Sequence, residues 1–393
     1  MVTELRRLLE QPEAAQQEAG YLHTVREIHQ QPQTWVETAK SVAELRPLLD
    51  KALSGIETIC LTGSGSSEYA GDCIAPALRQ DLRRPVQVIG GGTLLTHGAT
   101  FLSPKRPALM ISLARSGNSP ESAEAVRFLL ETEPDVRHLM VTCNAQGRLA
   151  TAHTGRSDVF VVTLDDRTND RSLVMTSSFT NMVVAALFLG LLNDVPAYTK
   201  IAGKLSQAGR FLLDNHTDAI AGIARGGFRR AFYLASAPAY GAARESALKM
   251  TEMTGGRVMT VAETFLGLRH GPMSAVHPDT LVICYLSSDP LVRSYEMDLI
   301  RELNRKSLGA AKLIVGDNVP VDLLHASDVV LEVPGLGEIG DRYAPVLHVM
   351  VGQLLGLFRS MAEGLKPDAP SESGVINRVV ESFTIHRLDG VSR

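Results

Sequence analysis

The sequence predicts an α/β protein made of two tandem doubly wound parallel sheets, preceded by a helical N-terminal segment. Three observations predict it. Short apolar runs alternate with stretches of helical periodicity, the pattern of parallel strands joined by crossover helices. The order of those runs returns once along the chain at an offset of 170–174 residues. Finally, the chain has 393 residues, beyond the roughly 250–300 at which a single core stops growing.

The elements follow in order. MVTELRRLLEQPEAA is charged and helical in pattern, without the apolar centre of an export signal, and residues 1–46 read as a helical segment. Five strands follow at Ile56–Leu61, Val86–Ile89, Ala108–Leu113, His138–Thr142 and Asp158–Leu164. The longest apolar run, Met182–Leu192, is shorter than the ~20 residues that cross a bilayer, so it reads as a buried core helix. Leu192–Phe211 reads as a connecting helix. The pattern then restarts. IETICLTG (56–63) returns as RRAFYLAS (229–236), ALMISLARSG (108–117) as TLVICYLSSD (280–289), HLMVTCN (138–144) near KLIVGDN (312–318), and SDVFVV (157–162) as SDVVLE (327–332). A constant offset over four segments points to internal duplication and to domains at 47–200 and 215–393. The alternative is one large sheet without symmetry.

Composition narrows the function classes. The chain is 45% hydrophobic and 21% charged, with a formal net charge of −4. It lacks the basic patch that nucleic acid or an anionic membrane would need. The four cysteines, Cys60, Cys73, Cys143 and Cys284, form no CxxC pair and read as buried reduced thiols of a cytoplasmic protein. No His/Asp/Glu cluster has convincing metal-ligand spacing, and neither a metal nor another cofactor is expected.

In open parallel sheets ligands sit beyond the carboxyl ends of the strands, and two turns there are rich in glycine and serine. Thr62-Gly63-Ser64-Gly65-Ser66-Ser67-Glu68 follows the first strand. It has G-x-G spacing, but Glu68 stands where a dinucleotide fingerprint needs glycine, and its carboxylate would repel a pyrophosphate. Arg115-Ser116-Gly117-Asn118-Ser119-Pro120 follows the third strand. Pro120 fits the first helical position and Ser119 the N-cap. Ser116 and Ser119 add hydroxyls, Gly117 lets the backbone approach closely, and Arg115 adds charge. Together these suit one phosphate monoester at a helix start; helix capping alone is the competing reading. Further on, Glu245, Lys249 and Glu252 fall at i, i+4 and i+7, so one helix face carries all three. That face is either a solvated charged stripe or, in its apolar setting of Ala247, Leu248, Met250 and Met253, a functional one. His270 stands between Arg269 and Gly271-Pro272, a loop setting where functional residues concentrate.

The two turns, the repeat and the stretch ESALKMTEMTGGRVMTVAETFLGLRHGPMSAV (245–276) together resemble a pair of sugar isomerase (SIS) domains. The chain is similar to the stand-alone double-SIS group of galactosamine-6-phosphate deaminases and tagatose-6-phosphate ketose/aldose isomerases. That group is related to the isomerase half of glucosamine-6-phosphate synthase. The resemblance implies that Arg115, Ser116 and Ser119 bind a sugar phosphate, with Ser66 and Ser67 beside it. It implies that Glu252 moves a proton between sugar carbons C1 and C2, with Lys249 next to it. It implies that His270 assists ring opening, often in a neighbouring subunit's site, and that Thr176 and Ser177 belong to a segment closing over the sugar. The synthase's C-terminal lysine has no counterpart: Glu381 stands near its position, and Arg378 and His386 are the nearest cationic candidates. The synthase carries a glutaminase domain for which this chain has no room before residue 47. The resemblance therefore implies the degradative direction, an aldosamine 6-phosphate going to a ketose 6-phosphate and ammonia. A plain ketose/aldose isomerase and a non-catalytic sugar-phosphate sensor are the alternatives. The partner expected is a small hexose or hexosamine 6-phosphate, with neither nucleic acid nor membrane, and the chain is expected to form a homodimer or homotetramer with shared sites.

Overall fold

Strands covered by helices on both faces need no polar alternation, so they appear as continuous apolar runs. In the computed structural model those runs form two five-stranded parallel sheets. The structure describes residues 2–101, 106–371, 373–379 and 384–386. The first sheet contains β1 (Thr58–Gly63), β2 (Val86–Gly90), β3 (Ala108–Ala114), β4 (Val136–Thr142) and β5 (Val159–Thr163), in the order β2-β1-β3-β4-β5. Leu61 pairs with Val88 on one side and Ile111 on the other. The second contains β6 (Arg230–Ala235), β7 (Met259–Glu263), β8 (Thr280–Tyr285), β9 (Ala311–Gly316) and β10 (Val329–Glu332), in the order β10-β9-β8-β6-β7. The two orders are the same once the strands are matched in sequence. In each sheet the strand order reverses beside the first strand, between β1 and β3 and between β6 and β8. Crevices open at such points because successive crossovers leave in opposite directions.

The packing is more unified than two separate cores. One continuous apolar cluster runs from Leu5 and Trp35 in the N-terminal helices through Phe179 and Phe188 to Tyr233 and Leu354 in the second half. The N-terminal helix Leu22–Glu44 is part of it, with the Trp35 indole N–H donating to Thr180 Oγ1 at 2.9 Å. Met182–Leu187 lies in the buried helix Ser177–Leu187. The connecting region is the helix Val195–Asn215. The helix Pro345–Ala362 is long and apolar enough to cross a membrane, but 89% of it is buried inside the fold. All four cysteines are free and buried.

The halves meet where the helix Ser66–Leu82, after β1, crosses the helix Tyr240–Met253, after β6. A Cβ at Gly241 would lie 2.7 Å from the Cys73 amide nitrogen, so only glycine permits this approach. Arg244 pairs with Asp72 and stacks 4.1 Å over the Tyr69 ring. The crossing brings residues 245–252 to the mouth of the first sheet.

Candidate functional site

The turn after β3 is built to hold its shape. Gly117 has φ +64°, a left-handed conformation that glycine adopts without strain. The Asn144 side chain donates to the Ser116 carbonyl at 2.9 Å, Leu149 N–H to the Gly117 carbonyl at 3.1 Å, and Arg148 N–H to Asn118 Oδ1 at 3.0 Å. Pro120 opens the helix Pro120–Thr132, and Ser119 sits at its N-cap, but the Ser119 hydroxyl makes no capping bond. Instead Ser119 lines a cavity of about 610 Å³ together with Ser116 and Arg115. Capping alone therefore does not account for this serine. Ser64, Ser66 and Ser67 of the turn after β1 line the opposite wall, and Glu252 reaches in from the second half.

The Glu245–Lys249–Glu252 face is not solvated. Glu245 is 0% exposed and Lys249 1%, while the Glu252 side chain keeps 22%. The Lys249 ammonium lies 3.3 Å from the Glu245 carboxylate, contacts the Glu252 carboxylate, and donates to the Ser66 hydroxyl at 3.0 Å. Burial pushes the Glu245 carboxyl up to about 7, although Lys249 pulls the other way. Burial alone would lower the Lys249 ammonium; Glu245 and Glu252 outweigh it and raise it. The arrangement places the Lys249 ammonium, whose charge the two carboxylates favour, behind a carboxylate that faces the cavity.

The other sequence candidates are placed differently. Arg115 lines the cavity, but its guanidinium donates to the carbonyls of Ser172 (3.2 Å), Leu173 (2.9 Å) and Arg378 (2.5 Å). Arg378 also lines the cavity, while its own guanidinium turns to the Asp170 carbonyl at 2.7 Å and to Asn169. Thr176 and Ser177 are fully buried and away from the cavity wall. The Ser177 hydroxyl and the N–H groups of Thr176, Ser177 and Ser178 all bond to the Asp170 carboxylate, which fills the start of that helix. His270 is exposed, at the end of the short turn Gly267–His270, and is not part of the cavity wall. His386 is exposed, and Glu381 lies outside the described residues. The sequence names Ser64 only as part of its turn, and it gives no role to Asp170 or Ser122. Ser122, one helical turn past Ser119, is also in the cavity wall. Among the described residues, no group of three or more His, Cys, Asp or Glu side chains is arranged to hold a metal ion.

No protein-family model matches the chain. The chain is 34% identical over 369 residues to the D-galactosamine-6-phosphate deaminase AgaS of Escherichia coli, covering 92% of this chain and 95% of that one. The chain belongs to the AgaS family. The protein of the same name from Shewanella sp. (strain ANA-3) is 33% identical, covering 93% of this chain and 92% of its own. Among solved structures, the tagatose-6-phosphate ketose/aldose isomerase from Escherichia coli superposes with a TM-score of 0.83 at 30% identity, over 93% of this chain and 96% of that one.

In this AgaS-family chain the turns of the second sheet, matched in order to the two above, line smaller cavities among the described residues. Ser236–Ala239, after β6, and Leu286 and Ser287, after β8, enclose a void of about 10 Å³, while Leu286, Ser287, Ser288 and Arg293 line a separate cavity of about 180 Å³. The donors of the second turn are already taken. The Asp341 carboxylate accepts from the Ser287 hydroxyl, from Ser288 N–H at 2.7 Å and from the Ser288 hydroxyl at 2.6 Å, while Glu296 accepts from Ser287 N–H at 2.8 Å.

Proposed function

We propose that this chain converts an aldosamine 6-phosphate, galactosamine 6-phosphate first among them, to the ketose 6-phosphate and ammonia. One observation carries the proposal: Glu252 opens into the same cavity as the serine turn of residues 116–119. A phosphate set against the Ser116 and Ser119 hydroxyls and the helix start would leave the sugar chain running toward Glu252 and the Ser64–Ser67 turn. Glu252 would take the proton from C2 of the open-chain aldosamine, giving an enolamine, and return it to C1. The product is a 1-hydroxy ketimine. Water adds at C2 and ammonia leaves, so the ketose forms without any change in overall oxidation state. Lys249 would orient Glu252 and hold positive charge near the developing oxyanion.

His270 is assigned to ring opening in the cavity of another copy of the chain, since its own chain leaves it exposed and off the cavity wall. This reading requires a homodimer or homotetramer. A cytoplasmic setting fits the four free thiols. The tail residue Arg378 acts here by holding the cavity wall through Asn169 and Asp170, in place of a lysine that enters the site. The test is to incubate the protein with galactosamine 6-phosphate and with glucosamine 6-phosphate and to measure ammonia. Release from the galacto epimer is the expected result. No ammonia from either, alongside interconversion of tagatose 6-phosphate with its aldose, would replace the deaminase by a plain isomerase. Solvent deuterium at neither C1 nor C2 would leave only a sensor.

A further inference from the structure

The N-terminal helix Leu22–Glu44 lies outside both sheets, yet one of its side chains reaches toward the cavity. Glu27 is buried at 6% exposure. Its carboxylate accepts from Arg171 N–H at 2.5 Å, from Ser172 N–H at 3.2 Å and from the Ser172 hydroxyl. Burial and the nearby Asp170 push this carboxyl up to about 7 against the pull of its three donors, and above that pH the three bonds make a charge-assisted clamp, stronger than neutral hydrogen bonds of the same number. What it clamps is the wall of the cavity. The carbonyls of Ser172 and Leu173 receive the Arg115 guanidinium, and the side chains of Leu173 and Met175 face the cavity. Met175 Sδ lies 4.0 Å from the Ser67 hydroxyl. The same segment holds the tail, because Arg378 donates to Asn169 and Asp170 while its carbonyl accepts from Arg115. The start of the N-terminal helix is tied in as well. Asp368 accepts from His23 and Thr24 N–H, and its carbonyl accepts from Leu173 N–H at 2.9 Å.

We infer that Glu27 is a positioning residue for the substrate cavity: it fixes residues 171–173, and through them the aim of Arg115 and the seat of the tail at 374–378. The inference rests on the reading of this cavity as the phosphosugar site. Glu27 touches no lining residue of the phosphate turn, so it works at one remove, on the shape that binds substrate rather than on the proton transfer. Loss of the clamp should loosen binding and spare the chemical step.

The experiment compares the full chain with Glu27→Gln and with Ser172→Ala. Two readouts are taken: hydrogen exchange of the peptides covering 169–175 and 374–379, and KM and kcat for ammonia release from galactosamine 6-phosphate. Glu27→Gln should speed exchange in both peptides while the helix Ser66–Leu82 stays protected. It should raise KM about tenfold, the effect of one lost charge-assisted bond, with kcat changed less than about threefold. Ser172→Ala keeps the carboxylate and its two backbone partners, and should show the same split at about threefold in KM. It decides the matter if Glu27→Gln does not fold. A folded variant with parental KM, or with faster exchange spread evenly over the chain, would overturn the inference and leave Glu27 a structural residue. If the parent turns over no aldosamine phosphate and no ketose phosphate, the functional reading fails first. The affinity for inorganic phosphate then replaces KM, with the same outcomes.

Discussion

The Lys249 ammonium sits 3.3 Å from the Glu245 carboxylate, and water reaches neither side chain. Removing one member of such a pair strands the other charge in a low-dielectric interior. Lys249→Met should therefore lower stability by about 3 kcal/mol or more. The double variant Lys249→Met/Glu245→Gln should recover most of it, because no buried charge is left alone. Urea unfolding of the two variants checks this; equal losses in both would mean the pair is not coupled.

Glu252 is different because its side chain keeps contact with the cavity. Glu252→Gln should unfold near the parental midpoint and still bind a hexosamine phosphate. Its turnover should fall by about a hundredfold or more, the range ascribed to a positioned general base. Deuterium incorporation from solvent at C1 should disappear with it. Retained exchange would move the base to another residue.

Ser119 separates two roles that often coincide. A serine that caps a helix stabilises it by about 1 kcal/mol, but the Ser119 hydroxyl makes no such bond. Ser119→Ala should leave the unfolding midpoint within experimental error and raise KM for the phosphosugar with kcat little changed. A loss of stability with an unaltered KM would return Ser119 to a capping role.

Glu296 provides a pH test away from the cavity. Burial pushes its carboxyl up from 4.5 to about 7, against the pull of bonds from Ser236 and Ser287. Between those two values the folded chain holds the proton that the unfolded chain has already released. The contribution of Glu296 to stability then falls as pH rises from about 4.5 to 7. Glu27 and Glu245, raised to about 7 by burial, act in the same direction. Thermal unfolding from pH 5 to 7.5 should show the parent losing a few degrees relative to Glu296→Gln, whose curve should be flatter. Parallel curves would mean that Glu296 stays ionised throughout.

The strands were readable because parallel strands buried on both faces must be apolar throughout, and each expected run overlaps an observed strand. The two turns at the carboxyl ends of β1 and β3 were readable because positive φ and close approach leave a glycine and serine signature, as at Gly117. Helical spacing placed Glu245, Lys249 and Glu252 together, but it carried no information on depth. Their burial comes from the crossing of two helices over 150 residues apart in sequence, permitted by Gly241. The same limit applies to Thr176 and Ser177. Their residue types fit a sugar-closing turn equally well, and only the fold brings Asp170 against them. Arg115 had the right charge in the right turn, yet the carbonyls that receive it belong to residues 172, 173 and 378. Glu27 gave no local signal at all, since its partners lie about 145 positions away.

Asp341 makes the two ends of the molecule unequal. A carboxylate supplied by the chain already takes the Ser287 hydroxyl and the Ser288 N–H and hydroxyl beside β8, so these donors are closed to a phosphorylated guest. Calorimetric titration with a hexose phosphate should accordingly saturate at one equivalent per polypeptide, even though the scaffold presents the same strand order twice.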